Sequence, residues 1–456
     1  MIQKVKKIHF IGIGGAGMNG IAEIFINMGY EVTGSDIKRS ENTDRIKRLG
    51  GKIFIGHRAE NVTQVDAVVY SNAVPDTNPE ILKAKELKIP VMPRALMLNE
   101  VMRLKYGVAV AGTHGKTSTT SMIAHILEEA KMDPTYVIGG VVKAKSTHAK
   151  AGKGRYVIVE ACEAFGSFLH LSPVIAGVTN IDDDHMDYYK NMDSLKEAFV
   201  NFVNKVPFYG AAYLNGDDRN VRAIESKIFV RKVFFGMDPK NDIFAGMIKT
   251  KGFRQTFKVT YRKADLGDFE LNVAGKHSVM NSLMAIAIAH DMGIKPEIIK
   301  KALKKFKNVK RRFSIFKQKN YTIVEDYAHH PTEVRTVLAT ARTVTDKNII
   351  AVFQPHLFSR TQQLYKDFAK ALEMADHVII DNIYPSREAP VPGVTSDLIK
   401  DSMTADGYKN VSYEKNWKDI VKQLKKTVKK GDFVFLIGAG NIIALRDEIK
   451  KGLKIK

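Results

Sequence analysis

The sequence predicts an α/β protein of three domains, each built around a largely parallel sheet. Twice in the first half of the chain, a short apolar strand leads into a glycine-rich turn and then into a helix. Over the last third, apolar strands alternate with segments of about 10–15 residues that have helical character. A length of 456 residues suits about three domains. We place them at residues 1–105, 106–310 and 311–456.

The composition is typical of a globular protein that has no disulfide framework. Hydrophobic residues make up 45% of the chain, enough for several cores, and the single cysteine indicates a reducing compartment. The sequence has neither an apolar run of about 18 residues nor a signal-peptide pattern at its start. It therefore predicts a cytoplasmic protein that does not associate with membranes.

The formal net charge of +22 would suit a nucleic-acid partner. The densest basic segment is residues 300–312, in which the apolar residues recur at helical spacing; they are Ala302, Leu303, Phe306 and Val309. This spacing indicates a helix with a solvated basic face. The chain lacks the aromatic interleaving, zinc pattern and RNA-binding signature of nucleic-acid modules. We therefore expect no nucleic-acid partner, and the excess charge favours anionic substrates or reflects a lysine-rich composition.

The first domain opens with a strand at Lys7 to Ile11, a glycine turn at residues 12–17, and a helix from Asn19 to Met28. A second strand begins at Glu31 and leads to Asp36. Glycines allow the backbone to approach a diphosphate, and an acid about 20 residues further on can bind a ribose hydroxyl. On its own, this pattern fits NAD or any other nucleoside diphosphate.

Two further strands are expected in this domain, at Lys52 to Phe54 and at Ala67 to Tyr70. The second leads into Ser71 and Asn72, a turn at the carboxyl end of a strand, where ligands bind in open α/β sheets. Prolines then mark the exit, and the domain is expected to end near Leu104.

The second domain opens with a phosphate-binding loop, GTHGKT, between an apolar strand and a helix that begins near Lys116. Backbone N–H groups of such a loop and the helix dipole favour a bound anion. Lys116 can reach a terminal phosphate, and the Thr117 hydroxyl can bind Mg²⁺. The loop is a shortened form, because Val110 stands where the usual pattern has its first glycine. We conclude that this is a nucleoside triphosphate site.

Two later strands of this domain end in possible metal ligands. The strand from Arg155 ends at Glu160, and the strand from Val174 to Thr179 leads toward His185. Oxygen ligands suit Mg²⁺, and an imidazole can complete a second metal site. The spacing fits His185 equally well as a helix cap or a loop residue. Residues 230–274 alternate like antiparallel strands, and residues 275–289 predict an apolar helix.

The third domain has three polar clusters, each directly after a predicted strand. Four strands are predicted, at Tyr321 to Glu325, Asn348 to Phe353, His377 to Asp381 and Phe433 to Ile437, and the clusters follow the first, the second and the last. The clusters contain Asp326 to His330, His356 with Arg360, and Gly438 to Asn441. Because the carboxyl ends of parallel strands meet at one edge of a sheet, we expect these clusters to form one site.

Seven motifs, in order over most of the chain, resemble those of the Mur ligases. They are IGIGGAGMNGIAE, GTHGKTSTT, TNIDDDHMDYY, VKRRF, DYAHHPTEVR, FQPHLFSRT and PGVTS. The resemblance implies a Rossmann-like UDP-binding domain, a central P-loop ATPase-type α/β domain and a C-terminal Rossmann-like α/β domain. It also implies an ATP-dependent ligase of peptidoglycan precursor synthesis that joins L-alanine to the lactyl carboxylate of UDP-N-acetylmuramate through an acyl phosphate.

The resemblance assigns roles to individual residues. The UDP-sugar would be bound by Gly12, Gly14, Gly15, Ala16, Gly17, Met18, Asp36, Ser71 and Asn72. ATP would be bound by Gly112, Thr113, His114, Gly115, Lys116, Thr117, Ser118, Asn281, Arg312 and Asp326. Mg²⁺, at two expected sites, would be bound by Thr117, Glu160 and His185, and the amino acid by Tyr327, His329, His356 and Arg360. The residues expected to act in catalysis are Lys116, Glu160, His185 and Arg312.

The chain departs from the common family pattern at several positions. Cys162 and Phe165 stand where many members have acids, so acidic roles are not transferred there, and the role of Glu163 stays open. Ser278 replaces a frequent asparagine near the expected adenine contact, and Leu357 replaces a frequent arginine near the amino-acid site.

Three other functions are weighed against this one. A related ligase joins a recycled tripeptide to the same sugar nucleotide, but the motifs are closer to those of the alanine enzyme. A nicotinamide dehydrogenase would leave the GTHGKT loop without a purpose, and a non-catalytic nucleotide sensor would not need all three substrates. The chain is expected to be a monomer or a weak homodimer; its kinetic order, its feedback regulation and any lysine carbamylation are left open.

Overall fold

The computed structural model describes residues 5–71, 73–142, 147–386 and 388–453. The chain forms two compact units. One consists of Met1–Ile248, Phe257–Glu270 and Met280–Lys307, and the other of Lys249–Thr256, Leu271–Val279 and Asn308–Lys456. Within these described ranges, the strands form three sheets, of five, ten and six strands. The predicted α/β class is confirmed, and the three domain boundaries stay predictions.

The first sheet places its glycine turn at the point where the strand order reverses. Its strands are β1 (Lys7–Ile11), β2 (Glu31–Asp36), β3 (Lys52–Ile55), β4 (Ala67–Tyr70) and β5 (Val91–Pro93), and its helices are α1 (Ala16–Asn27), α2 (Glu41–Arg48), α3 (Pro79–Glu86) and α4 (Arg94–Arg103). All paired strands are parallel, in the order β3-β2-β1-β4-β5. The chain turns to opposite sides of β1, so a crevice forms at the carboxyl end of this strand, where ligands of such sheets bind.

The second sheet has the phosphate loop near its middle. Its strands are β6 (Tyr106–Ala111), β7 (Thr135–Val142), β8 (Thr147–Lys150), β9 (Tyr156–Glu160), β10 (Ile175–Val178), β11 (Ala211–Asn215), β12 (Lys232–Gly236), β13 (Ile243–Lys251), β14 (Arg254–Tyr261) and β15 (Ala264–Leu271). The order is β15-β14-β13-β12-β11-β10-β6-β9-β7-β8. Strand β6 runs parallel to both neighbours, β9 and β10. The residues that follow these three strands therefore meet at one edge.

The helices associated with this sheet are α5 (Lys116–Glu129), α6 (Met186–Tyr189), α7 (Met192–Val203), α8 (Arg219–Ala223), α9 (Lys276–Asp291) and α10 (Pro296–Lys305). The sequence predicts a helix through residues 300–312, but the helix ends at Lys305. Phe306 is the C-cap residue and leaves the helical conformation (φ −59°, ψ 127°). Phe306 and Val309 are nevertheless buried, in the segment that follows the helix.

The third sheet contains β16 (Ser314–Lys317), β17 (Thr322–Asp326), β18 (Ile349–Phe353), β19 (His377–Ile380), β20 (Val411–Tyr413) and β21 (Phe433–Ile437). Its helices are α11 (Pro331–Val344), α12 (Phe358–Leu372), α13 (Asp397–Ala405), α14 (Trp417–Thr427) and α15 (Leu445–Gly452). The order is β16-β17-β21-β18-β19-β20, with only β16 antiparallel to its neighbour. Within the described ranges, no helix is both long and apolar enough to cross a membrane.

Helix α1 packs directly on the edge of the second sheet. A Cβ atom added at Gly20 would lie 2.8 Å from the Cβ of Ala149 in β8, closer than such atoms approach in proteins. The glycine therefore allows the backbone of α1 to lie against β8. The close packing also fixes the direction of α1, whose first turn carries the glycine-rich segment of the first sheet.

A buried polar network supports the first glycine turn. The backbone carbonyl of Ser35 accepts hydrogen bonds from Gly12 N and Ile13 N, at 2.9 and 3.0 Å. The hydroxyl of Ser35 donates to the carboxylate of Glu80, a residue with no exposed surface. Asn61 Nδ2 donates to the same carboxylate at 2.6 Å. Thus one serine links the glycine turn to a buried charge.

Burial alone would raise the pKa of Glu80, but the nearby imidazole of His9, with Nε2 3.7 Å away, and hydrogen bonds from Ser35 and Asn61 lower it from 4.5 to about 2. Because the pKa in the folded protein lies below that of the unfolded chain, the ionised carboxylate stabilises the fold above about pH 4.5. This stabilisation is lost as the pH falls toward about 2. The lowered pKa corresponds to a contribution on the order of 3 kcal/mol.

We expect Glu80→Gln to lower the melting temperature at pH 7, because the neutral amide forms weaker hydrogen bonds in this network. The difference from wild type should narrow at pH 3. Glu86→Gln is the matched control, because Glu86 lies on the same helix and forms an exposed pair with Lys83. Equal melting temperatures for wild type and Glu80→Gln at pH 7 would contradict the prediction.

Candidate active site

The phosphate loop takes its shape from two glycines in the left-handed region. Gly112 has φ 128°, and Gly115 has φ 83° directly before α5. A Cβ at Gly112 would lie 2.0 Å from Thr179 Oγ1, and one at Gly115 would lie 2.7 Å from Asn281 Oδ1. Both positions therefore require glycine for space as well as for conformation. The contact also places Asn281, the predicted adenine ligand, beside the loop.

The segment after β10 braces this loop. Asn180 Oδ1 accepts from His114 N at 2.8 Å, and Asn180 Nδ2 donates to His114 O at 3.0 Å. The ring of His114 lies against Asp182, with Nε2 2.9 Å from Oδ2. Asp182 N in turn donates to Thr113 Oγ1 at 2.8 Å. These bonds hold the loop in position from the neighbouring strand end.

The Lys116 ammonium is largely buried and donates three hydrogen bonds. It donates to Gly112 O, to Thr113 O at 3.0 Å and to Glu163 Oε1 at 2.9 Å. Its distance to Glu163 Oε2 is 2.8 Å, and the two side chains are only 12% and 2% exposed. Burial opposes the charge, but the carboxylates of Glu163 and Glu160 and the Cys162 thiol together outweigh burial, so the pKa of Lys116 lies above its ordinary value. The lysine is therefore a fixed positive charge beneath the phosphate loop.

The predicted metal ligands lie at the same edge, in two groups. Thr117 Oγ1 donates to Glu160 Oε1 at 3.1 Å, while Glu160 Oε2 accepts from Gly139 N at 2.8 Å. His185 has a left-handed backbone (φ 59°), and its Nε2 lies 3.9 Å from Glu163 Oε1. The structure thus pairs Thr117 with Glu160 and places His185 beside Glu163. Ser118 follows them in the first turn of α5.

The first glycine turn brings together most of the predicted UDP-sugar residues. Gly14 N donates to Asp36 Oδ2 at 2.8 Å, so the acid at the end of β2 is tied to the turn. A Cβ at Gly12 would lie 3.2 Å from the Cβ of Ser71, at the end of β4. Gly15 caps α1, and residues 16–18 form its first turn, which contains Ala16, Gly17 and Met18. Asn72 lies outside the described residues.

In the second compact unit, three of the four predicted amino-acid ligands form an aromatic cluster. The rings of Tyr327 and His329 lie 5.4 Å apart, and those of His329 and His356 lie 6.0 Å apart. The guanidinium of Arg312 lies 5.4 Å from the centre of the Tyr327 ring. Its Nη1 is also 3.6 Å from the carboxylate of Glu333. Arg312 thus adds positive charge to this cluster.

Arg360, the fourth predicted ligand, lies in the first turn of α12 near Glu388. Burial raises the pKa of Glu388, but hydrogen bonds from Ser359 and the charge of Arg360 outweigh burial, so this pKa lies below its ordinary value. Ser359 N donates to Glu388 Oε2 at 3.0 Å. The start of α12 is therefore anchored by an acid that Arg360 helps to keep ionised.

Asp326, predicted to lie near the ATP ribose, forms hydrogen bonds that stabilise the fold. Its Oδ2 accepts from Phe313 N at 2.7 Å, and its Oδ1 accepts from Ala328 N at 2.8 Å. The side chain is buried, and burial raises its pKa against the opposing charge of Arg312. Its carboxylate therefore stabilises the turn after β17, in which Tyr327 lies.

Sequence reasoning missed several residues that shape these sites. Glu163, to which the sequence assigns no role, forms an ion pair with Lys116, and Asn180 holds the phosphate loop through two hydrogen bonds to His114. Arg311 Nη2 donates to Gly438 O at 2.6 Å and to Gly440 O at 3.0 Å, and its guanidinium lies 4.6 Å from the Tyr327 ring centre. The position of an acid three residues after a strand-end acid was a usable signal for Glu163. The long-range contacts of Arg311 had no local signal.

Three models of one protein family match most of the chain. Residues 7–106 match the model described as the Mur ligase family, catalytic domain; residues 110–289 match the Mur ligase middle domain; and residues 311–440 match the Mur ligase, glutamate ligase domain. These three ranges follow the three sheets.

Individual relatives match this chain over nearly its whole length. The UDP-N-acetylmuramate–L-alanine ligase of Sulfurihydrogenibium sp. is 46% identical, with 99% of each chain covered. That of Geotalea daltonii is 44% identical over 100% of this chain and 99% of its own. Among solved structures, the UDP-N-acetylmuramate-alanine ligase of Thermotoga maritima matches with a TM-score of 0.81 and 30% identity, covering 98% of this chain and 99% of its own. A murein peptide ligase of Psychrobacter arcticus has the same fold, with a TM-score of 0.72 and 24% identity over 98% of both chains.

The buried pair of Lys116 and Glu163 predicts a strong energetic coupling. Lys116→Met should lower the free energy of unfolding by about 3–5 kcal/mol, because it leaves a buried carboxylate without its counter-ion. The double variant Lys116→Met/Glu163→Gln should recover part of this loss. A double-mutant cycle by denaturant unfolding measures the coupling.

The matched control is the exposed pair of Lys227 and Glu197, whose side chains are 63% and 52% exposed. The cycle with Lys227→Met and Glu197→Gln should give a coupling of about 0–1 kcal/mol. A buried pair with no larger coupling than this surface pair would show that Glu163 does not hold the charge of Lys116.

Proposed function

The chain belongs to the Mur ligase family, and we propose that it joins L-alanine to the lactyl carboxylate of UDP-N-acetylmuramate with hydrolysis of ATP to ADP and phosphate. This reaction is a step of peptidoglycan precursor synthesis. The observation that carries the proposal is the match, at 44–46% identity over essentially the full chain, to relatives that all bear this activity in their names. The phosphate loop, whose carbonyl groups accept hydrogen bonds from Lys116, supports the use of ATP.

The chemistry begins with a carboxylate, which is a poor electrophile and needs activation. In the proposed first step, a lactyl carboxylate oxygen attacks the γ-phosphorus of ATP, forming an acyl phosphate and releasing ADP. Negative charge then spreads over the transferring phosphoryl group, and a fixed cation at the loop stabilises it. Lys116 is such a cation, because Glu163 and two loop carbonyls hold its ammonium in place. Arg312 is proposed to contribute a second positive charge.

In the proposed second step, the neutral amine of L-alanine attacks the activated carbonyl carbon. The tetrahedral oxyanion then collapses, the amide forms, phosphate leaves and the amine loses a proton. We propose that Tyr327, His329 and His356 surround the amino acid and that Arg360 pairs with its carboxylate, a geometry that guanidinium groups favour. The cluster of three rings supports a small pocket.

The first glycine turn is proposed to bind the UDP diphosphate rather than NAD. Its position at the switch point of the first sheet and the tie between Gly14 and Asp36 support a nucleotide site. The relatives act on a uridine nucleotide by name. We propose that Asn281, Arg312 and Asp326 contribute to ATP binding, as expected for the family. A cytoplasmic location and a monomer or weak homodimer stay predictions.

The residues around Lys116 also fit a divalent metal ion. The Thr117 hydroxyl and the Glu160 carboxylate lie within hydrogen-bond distance of each other, and hard oxygen ligands of this kind suit Mg²⁺. We propose that these two residues and His185 bind Mg²⁺, at two sites. The ion supplies charge neutralisation at the phosphates when bound. The protein's own contribution is to place the hydroxyl and the carboxylate beside the phosphate loop.

Metal binding predicts a specific change in two variants. Glu160→Gln and His185→Ala should each raise the Mg²⁺ concentration needed for half-maximal activity, because each removes a ligand. They should raise the KM for the UDP-sugar much less. Steady-state phosphate release across a Mg²⁺ titration measures both quantities. The control is Glu197→Gln, at an exposed carboxylate; if both site variants behave like this control, the metal assignment is wrong.

The amino-acid site makes a second prediction, which also tests the proposed function. Phosphate release from ATP and UDP-N-acetylmuramate should require an amino acid, with L-alanine preferred among the standard set. One methyl group in an apolar pocket changes specificity by roughly 10–200-fold, so glycine should be used that much less efficiently. L-Serine should also be a poor substrate, because a small pocket cannot strongly reject one added hydroxyl.

Arg360→Ala should raise the KM for L-alanine far more than the KM for ATP, because it removes the contact to the carboxylate. Lys366→Ala, at an exposed position on the same helix, is the control and should change neither value. A preference for a tripeptide or an acidic amino acid would replace the proposed substrate with that of a related ligase.

A further inference from the structure

Arg94 lies against the first turn of α1, at the glycine-rich site of the first sheet. It is the first residue of α4, directly after β5. A Cβ added at Gly17 would lie 2.7 Å from Arg94 Nη1 and 3.2 Å from both its Cδ and its Cζ. In the observed conformation, the guanidinium occupies the space that a side chain at position 17 would fill. The glycine therefore leaves room for a positive charge beside the turn.

Among the described residues, this guanidinium has no acid partner, unlike those of two other half-buried arginines, Arg45 and Arg446. Arg45 donates two hydrogen bonds to Glu23, at 2.9 and 3.0 Å, and Arg446 donates to Glu325 at 2.8 Å. In the parts of the chain that the structure describes, Arg94 forms neither an ion pair nor a hydrogen bond with a side chain. A partly buried arginine without a partner has lost hydration that an anionic ligand can replace.

We infer that Arg94 binds an oxyanion of the UDP-sugar held at the first glycine turn, an inference that rests on the proposed function. The planar fork of a guanidinium matches the two oxygens of a phosphate or a carboxylate. UDP-N-acetylmuramate offers both groups, in its diphosphate and its lactyl carboxylate. The contact with Gly17, in the first turn of α1, fits the diphosphate, and the lactyl carboxylate offers the same pair of oxygens.

The test compares the binding of three ligands to the full-length protein by calorimetry. UDP carries the diphosphate alone, UDP-N-acetylglucosamine adds the sugar, and UDP-N-acetylmuramate adds the lactyl carboxylate. Arg94→Gln should weaken binding roughly 10–100-fold, the range expected for losing charge-assisted hydrogen bonds. A loss with all three ligands identifies the diphosphate as the partner, and a loss with UDP-N-acetylmuramate alone identifies the carboxylate. Arg94→Lys should lose less affinity than Arg94→Gln, because lysine keeps the positive charge but lacks the planar, two-pronged guanidinium group.

Arg103→Gln is the matched control. It lies at the other end of α4, where Arg103 forms an exposed pair with Glu100. This variant should bind all three ligands as wild type does. ADP binding at the phosphate loop, unchanged in Arg94→Gln, shows that the variant is folded.

If Arg94→Gln binds all three ligands within twofold of wild type, the inference is wrong while the proposed function stands. If wild-type protein binds none of the uridine nucleotides, both are overturned. If the Arg94→Gln variant also loses ADP binding, the arginine has a structural role and the inference is overturned as well.

Discussion

The ion pair between Lys116 and Glu163 is the interaction on which the phosphate-loop edge of the second sheet depends. The charge of this deeply buried lysine is stabilised by a carboxylate 2.8 Å away and by two loop carbonyls, which accept hydrogen bonds from the ammonium. The same carboxylate lies 3.9 Å from the His185 ring. Glu163 therefore couples the loop, which follows β6, to the segment after β10. Any ligand that engages the ammonium acts on all three residues.

Close backbone approach is the second constraint at these sites. Glycines occur where a side chain from another segment occupies the space that a Cβ would need: Thr179 at Gly112, Asn281 at Gly115 and Arg94 at Gly17. Each contact brings a polar group to a turn that would bind phosphate. The two nucleotide-type turns are thus built alike, with the strand and helix supplied locally and the polar side chains supplied from distant parts of the chain. This division explains which features the sequence alone reveals.

The local features could be predicted. The bounds of β1, β4 and β21 agree with the sequence pattern, because buried parallel strands appear as short apolar runs between turn residues. The features that could not be predicted depend on contacts between segments far apart in sequence. The antiparallel pair β7 and β8 carries no clear alternation, and the bracing of His114 by Asn180 joins residues 66 positions apart. Glu163 was visible as an acid, but its partner became apparent only when β6 and β9 were paired.

Asp326, which the family resemblance assigns to ATP binding, also stabilises the folded structure. An ionised carboxylate offers about four acceptor positions, and backbone amides of Phe313 and Ala328 fill one on each oxygen. Both bonds shape the turn after β17, so the carboxylate is needed there whether or not a nucleotide is bound. Its remaining acceptor positions are compatible with a ribose hydroxyl, but burial limits the directions from which a ligand could approach. Replacing Asp326 would therefore alter the position of Tyr327 as well as any ribose contact. For this reason the loss of activity in such a variant could not by itself assign the residue to ATP binding.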